Sequence, residues 1–287
     1  MRSHSRAFKP VSGSVGIGLR SQHYSNFLDS LPNIGFLEVH CENYFGQGGK
    51  PLVCLEHIAN HYPLSFHGVG LSLGSTDGLS AQHLRKLKAL IDRFEPMFVS
   101  EHLCWGSVEG TYFNDLLPLP YTPESLWLVI KHVHQVQDYL KRPILIENIS
   151  SYLEYDHSVI PEYEFMMEII KATGCSILLD VNNLYVNSVN HGWDTKTYLH
   201  HLAPQAVQEI HLAGFTQKVF DDALLLIDTH DKPVTQDVWM LYEQSLQYLG
   251  PKPTLIEWDA NLPDLSILLG EAEKAKRILD DVYAISA

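Results

Sequence analysis

Eight short apolar runs punctuate the chain, at 15–19, 34–40, 64–69, 97–102, 143–148, 175–181, 207–212 and 253–258. They are rich in Val, Ile and Leu rather than strictly alternating, the pattern of strands covered on both faces. Between them, apolar residues recur at three- and four-residue spacing, as in Leu84, Leu87, Leu90, Ile91 and Phe94, or Leu126, Ile130, Val133, Val136 and Leu140. That period predicts helices, and a last one is predicted over about 264–284. Strict alternation of strand and helix predicts parallel pairing through right-handed crossovers, and eight such units close into a (β/α)8 TIM barrel of α/β class. A doubly wound sheet is the competing architecture. Gly16 and Gly18 lie inside the first strand with no third glycine of a G-x-G-x-x-G, so no dinucleotide is expected.

No linker rich in Gly, Ser or Pro divides the chain, so one domain is expected over 15–287, preceded by a loose polar arm at 1–14. Three connections are long: Leu103 to Thr122, Val181 to Trp193 and Ala213 to Pro233. Each follows the C-terminal end of a strand, the barrel face that carries active sites, and is expected to form a lid or substrate wall.

The strands also share an ending. Pro143-Ile144-Leu145-Ile146 closes on Glu147, Ile177-Leu178-Leu179 on Asp180, and Thr254-Leu255-Ile256 on Glu257; others end at His67, at His102 and at His211. Side chains alternate across a strand, so parity groups Leu145 with Glu147, Leu178 with Asp180, Leu255 with Glu257, Ser65 with His67, Ser100 with His102, Glu209 with His211, and Phe36 with Glu38 and His40. These sets point into the barrel if the purely apolar sets face the helices. Singly, a strand-end His is more often a hydrogen-bonded structural group, and a strand-end Glu a cap or a partner of Lys or Arg. Together they crowd carboxylates into one mouth without Lys or Arg on the same strands, at a cost of several kcal/mol for each unpaired charge. Such carboxylates must be protonated or bind cations.

Composition narrows the chemistry. A net charge of −14 and the lack of a basic stripe exclude a nucleic-acid backbone as main partner. No run reaches the roughly 18–20 apolar residues of a membrane span. The four cysteines form no C-x-x-C pair and no leader is apparent, so a cytoplasmic location is expected. Histidines and carboxylates without thiolates describe a site for iron, manganese or zinc rather than magnesium or calcium. Asp228-Thr229-His230-Asp231, in the seventh connection, adds a D-x-H pair whose side chains share a side in extended chain. The combined set of His67, His102, Glu147, Asp180, His211, Asp228, His230 and Glu257 exceeds the four to six ligands of one ion, which implies two or three ions sharing carboxylates. Glu38, His40 and Glu209 are expected to orient ligands rather than to bind, and buried structural polarity is the plainer role for them.

These stretches, with Gly35-Phe36-Leu37-Glu38-Val39-His40, Glu42-Asn43-Tyr44, Ser100-Glu101-His102-Leu103, Leu116-Leu117-Pro118-Leu119-Pro120-Tyr121, Ile146-Glu147-Asn148, Leu179-Asp180-Val181-Asn182-Asn183 and His211-Leu212-Ala213-Gly214, resemble the DUF692 (UPF0276) family from about Val15 to Pro263. The resemblance implies a xylose-isomerase-like TIM barrel holding two or three iron ions, with Mn or Zn possible in a purified sample. It implies an oxidoreductase that uses molecular oxygen to modify cysteine residues of a ribosomally made peptide, often with a small partner protein presenting the peptide. Matched motif by motif, it places ligands on the same eight residues, with Asn183 a weaker candidate. The substrate does not transfer. Rival functions on such a barrel are a divalent-metal sugar isomerase, an endonuclease-like hydrolase and a non-enzymatic metal-binding module.

Overall fold

The eight apolar runs become eight staves of one closed parallel barrel in the computed structural model, which describes residues 13–220 and 223–286. The staves are β1 (Val15–Gly18), β2 (Phe36–His40), β3 (Leu64–Gly68), β4 (Phe98–His102), β7 (Leu145–Glu147), β8 (Ser176–Asp180), β9 (Val207–Leu212) and β12 (Thr254–Ile256). Each pairs with its sequence neighbour in this set, and β1 closes the ring on β12 through Val15 opposite Thr254. The expected arm at 1–14 lies, as far as residue 12, outside the described residues; Ser14 already accepts a backbone hydrogen bond from Thr254, at 3.0 Å.

Helices cross between consecutive staves: α1 (Tyr24–Asp29), α2 (Lys50–Ile58), α3 (Ala81–Phe94), α4 (Pro123–Leu140), α5 (Glu162–Thr173), α6 (Val181–His191) with α7 (Thr195–His201), and α8 (Gln236–Leu249), while α9 (Leu265–Ser286) follows the last. The outward strand residues Leu37, Val39, Phe66, Val99, Ile146, Ile177, Leu179, Ile210, Leu212 and Ile256, with Ile144 just before β7, are buried in one core with these helices. The inward set divides by height. Phe98, Leu145 and Leu178 plug the floor as a separate apolar cluster. On β1 Gly16 is required, because a Cβ there would stand 2.7 Å from the Phe36 ring. Above the floor the inward residues are Glu, His, Ser and Asp, so the barrel changes from apolar to ionisable along its own axis.

The three long connections are more ordered than the expected loops. The first contains a hairpin of β5 (Trp105–Val108) and β6 (Thr111–Leu117), the third a hairpin of β10 (Phe215–Phe220) and β11 (Ala223–Asp228). The second is no loop, because α6 starts directly after β8. Asp180 ends the strand and caps the helix, its Oδ1 accepting from the Asn183 amide at 2.6 Å. Buried Asn182, Asn183 and Asn187 make the first turns read as loop in sequence, yet Asn183 and Asn187 bond the carbonyls of Asn148 and Ile149 at 3.1 and 2.8 Å. The expected strand at 143–148 is only Leu145–Glu147, and that at 253–258 only Thr254–Ile256, which puts Glu257 one residue past its strand. Among the described residues no helix is long and apolar enough to cross a membrane. All four cysteines are buried and free.

Candidate metal centre

At the C-terminal mouth the structure brings His67, His102 and Glu147 to one point. Their facing atoms are mutually close: His67 Nε2 to His102 Nε2 is 3.2 Å, and Glu147 Oε2 is 3.3 Å from each nitrogen. The far side of each ring is anchored, His67 Nδ1 2.7 Å from the Ser100 hydroxyl and His102 Nδ1 3.1 Å from the Gly68 carbonyl. A carbonyl can only accept, so Nδ1 of His102 carries a proton, and Nε2 is the nitrogen that would offer a lone pair toward His67 and Glu147 once the ring gives up its second proton. Despite these neighbours, Glu147 Oε2 has no hydrogen bond.

Glu147 also belongs to a second group, with Asp180, His211 and Glu257, all buried. Its Oε1 is 3.8 Å from His211 Nδ1, and Glu257 Oε2 is 3.1 Å from the same nitrogen. The opposite nitrogen, Nε2, lies 3.3 Å from Glu38 Oε2. Below, Ser65 Oγ is 3.2 Å from both Glu38 Oε2 and Glu209 Oε2, so Glu38 and Glu209 form a carboxyl pair under His211. Asp180, anchored as the α6 cap, leaves Oδ2 without a partner.

Asp228 and His230 reach the mouth from outside. Asp228 closes β11 and is not carried on an open loop: Asn182 Nδ2 donates to its Oδ1 at 2.7 Å and Ser150 Oγ to its Oδ2 at 3.2 Å. His230 Nε2 stands 2.6 Å from Asp228 Oδ1 without hydrogen-bond geometry, and its Nδ1 is 3.4 Å from Glu257 Oε2. The residue holds a left-handed backbone, φ 45°, rare for a non-glycine. Its position depends on Gly214, since a Cβ there would meet the Lys232 carbonyl at 2.3 Å.

Two residues were invisible to strand-end reasoning. Buried Arg20 and exposed Asp259 form an ion pair at the rim, with His40 Nε2 3.1 Å from Arg20 Nη2 and 3.8 Å from Asp259 Oδ2. Arg20 directly follows the first predicted strand, 15–19, and Asp259 lies two residues after Glu257, which is the faint signal that could have found them. His40, expected only to orient others, also forms a compact group with Glu257 and Asp259. Glu38 and Glu209 stay deeper, and Asn183 lines the mouth cavity of about 270 Å³.

The charges reinforce the geometry. Burial pushes the Glu147 carboxyl up, against the pull of His102 and His211, to about 8. Burial likewise lifts Asp180, against His230, to about 7. Burial opposes charge on His102, but Glu147 and Glu101 outweigh it and raise the imidazole to about 9. His67 goes the other way, well below its ordinary value, through burial and the neighbouring His102 and His211. Two imidazoles at this separation do not both charge. Glu257 is also disfavoured by burial, yet His230 and His211 hold it well below the usual carboxylate range. Protons therefore occupy positions where the donors converge. Buried orphan oxygens on Glu38, Glu147, Asp180 and Glu209, with nitrogen lone pairs aimed among them, fit cations better than protons, and the mixed N/O donor set without thiolate suits Fe, Mn or Zn.

Comparison with known proteins gives a concordant picture. The chain is 50% identical over 274 residues to a UPF0276 protein of Psychromonas ingrahamii, covering 94% of this chain and 95% of that one. It is 50% identical over 265 residues to a UPF0276 protein of Vibrio vulnificus, covering 92% and 91%. Solved structures share the fold at low identity: a xylose isomerase-like TIM barrel protein of Mycobacterium smegmatis in complex with magnesium (10% identity, TM-score 0.59, 95% and 99% of the two chains). A D-allulose 3-epimerase of Methylomonas sp. is comparable (13%, TM-score 0.59, 98% and 99%). The profile of the family described as RiPP precursor modification enzyme MbnB/TglH/ChrH matches residues 14–280, and the chain therefore belongs to that family of peptide-modifying enzymes.

Proposed function

We propose that this protein is a multinuclear non-haem iron enzyme that uses molecular oxygen to oxidise a cysteine residue of a ribosomally made peptide, with a small partner protein presenting the peptide. The observation that carries the metal part is Glu147: one carboxylate faces His67 and His102 with Oε2 and His211 with Oε1, the placement of a shared ligand between two ions. In this reading His67, His102 and Glu147 hold one ion, Glu147, Asp180, His211 and Glu257 a second, and Asp228 with His230 help to hold a third. Family membership supports the peptide; the donor set supports iron, with manganese or zinc as substitutes.

Bound iron would supply redox chemistry toward oxygen and acidify a coordinated thiol. The chain's own residues do the placing. Ser100 and the Gly68 carbonyl fix the two imidazoles by their Nδ1 atoms, and Glu38 holds His211 by Nε2, so ring orientation is set before any ligand arrives. The Arg20–Asp259 pair occupies the rim beside His40, where it neutralises one carboxylate. The mouth admits substrate between β6, through Asp115 and Leu116, and the Ser150–Tyr152 segment.

The test is anaerobic loading with ferrous ion, addition of short synthetic cysteine-containing peptides, and admission of oxygen, followed by mass spectrometry and an oxygen electrode. A mass change at cysteine with matching oxygen uptake, absent from zinc-loaded protein, is expected. Epimerisation of a free ketose under nitrogen, with no oxygen uptake in either arm, would replace this reading with the sugar-isomerase one.

A further inference from the structure

A second and larger cavity, about 590 Å³, opens beside the metal mouth and uses none of its residues. The wall between them is one stretch of chain outside helix and strand, bent at Tyr152. Ser150 and Tyr152 face the metal mouth, whereas Ser151 and Leu153 line the other side. Tyr152 and Leu153 are 44% and 45% exposed, an apolar crest joining the two openings.

The lining of this cavity is selective. Tyr121, Tyr155, Tyr163, Trp193 and Tyr198 supply aromatic surface, with Trp193 and Tyr198 near parallel at 15° and 6.4 Å between centroids. Glu154, Asp156 and Asp194 add carboxylates, Asp194 as the cap of α7; no Lys, Arg or His is among the lining residues, and His191 stands just outside them with Nδ1 3.7 Å from Glu154 Oε2. Glu154 Oε1 accepts from Trp193 Nε1 at 3.1 Å, which fixes the indole at the rim. At the base the buried Glu162 accepts one hydroxyl on each oxygen, from Tyr121 and, at 2.7 Å, from Tyr198. A carboxylate has about four acceptor positions, so half of its capacity is unused in a buried place. The N-terminus of α5 contributes roughly half a positive charge here, too little to offset these carboxylates.

Aromatic faces and several carboxylates, opposed nearby by the single imidazole of His191, suit a cation on an apolar stem, held by cation–π and ionic attraction together. We propose that this cavity binds a lysine or arginine side chain of the peptide while a nearby residue of the same peptide occupies the metal mouth, the chain passing over Tyr152 and Leu153. The inference rests on the peptide reading above. It gives that reading a substrate feature, a basic residue close in sequence to the modified one.

The experiment uses simple probes on the full-length protein: n-hexylammonium and 1-hexanol, titrated by calorimetry without metal or thiol. The ammonium binds at least tenfold more tightly, a difference of about 1.4 kcal/mol. Glu154→Gln with Asp156→Asn, both exposed, brings the two probes within about threefold of each other, a residual of under about 1 kcal/mol. Trp193→Ala weakens the ammonium as well. Glu162→Gln erases the preference if it folds, and the exposed double variant carries the test if it does not. Equal binding of the two probes, no binding of either, or a preference unchanged in the double variant overturns the proposal. Because this titration needs neither iron nor peptide, its failure leaves the oxidative reading standing, and failure of oxygen uptake leaves the cation site standing.

Discussion

Glu38 Oε2 lies 3.3 Å from Nε2 of His211, at the end of the ring opposite the one that faces Glu147 and Glu257. A carboxylate in that position selects the tautomer of a ligating imidazole and raises its basicity. Glu38→Gln keeps the shape but offers either an oxygen or a competing N–H to His211. Metal affinity should fall about 10- to 100-fold with little change in fold. Competition against a chelator of known affinity measures it; wild-type affinity in the variant would reduce Glu38 to buried polarity.

Glu147→Gln should cost more metal than any single histidine change. The amide cannot face two ions as a shared anion, whereas His67→Ala or His102→Ala touches one group of donors only. Metal per chain by elemental analysis should drop by more than one ion in Glu147→Gln and by about one in the histidine variants. Equal losses would mean that Glu147 is not shared.

The stripped protein should lose stability as pH rises from 7 to 9, and the loaded protein should not. Glu147 and Asp180, raised by burial to about 8 and about 7, are stable protonated, so their contribution is present at low pH and lost as pH passes those values. His102, held up to about 9 by Glu147 and Glu101 against burial, has the same sign: its stabilisation is full below its unfolded value and vanishes as pH rises through 9. His67 opposes them, but its unfolded form has finished titrating near neutral pH. Bound cations replace these protons, so loading should release protons and strengthen with pH. Thermal melts of stripped and loaded protein at several pH values check this. A stripped protein equally stable at pH 7 and 9 would contradict it.

Much of the barrel was legible because period and parity are local. Leu145 with Glu147 and Leu178 with Asp180 follow from alternation alone, and the inward ionisable layer stands where alternation puts it. Arg20 and Asp259 escaped because they sit beyond the hydrogen-bonded strands, where side chains no longer alternate by rule. The hairpins escaped for a different reason. β6 is largely exposed and lacks an apolar face, and β10 and β11 are joined through Asp221-Asp222 without the Gly or Asn-Gly that marks a tight hairpin. Helix α6 was hidden by its asparagines, poor helix formers whose cost is offset by buried side-chain hydrogen bonds that no sequence period reports.

The outer pair gives the last prediction, and the structure alters what a loop placement alone would suggest. Asp228 terminates a paired strand and is held by Asn182 and Ser150, so it is well placed; His230 follows it on backbone in a strained left-handed region, steadied by a hydrogen bond from its amide to the Gly214 carbonyl at 3.0 Å. Among the described residues the other carboxylates within ion-pair distance of His230 are Glu257 and Asp259, which also pair with His211 and Arg20, so an ion there is held by fewer dedicated donors than one among His67, His102 and Glu147. It should therefore leave first under chelator, and Asp228→Ala with His230→Ala should remove about one ion per chain while lowering Tm by no more than a few degrees, since neither residue packs in the core. Gly214→Ala tests the same point without touching a donor. Its Cβ would collide with the Lys232 and Pro233 carbonyls, at 2.3 and 2.7 Å, forcing the His230 segment away from the mouth. That variant should lose the same ion and more stability. Anomalous scattering from crystals of the loaded parent and both variants decides it: full-height peaks at every parental position would show that Asp228 and His230 are polar residues of the rim and that the ions are held by the barrel alone.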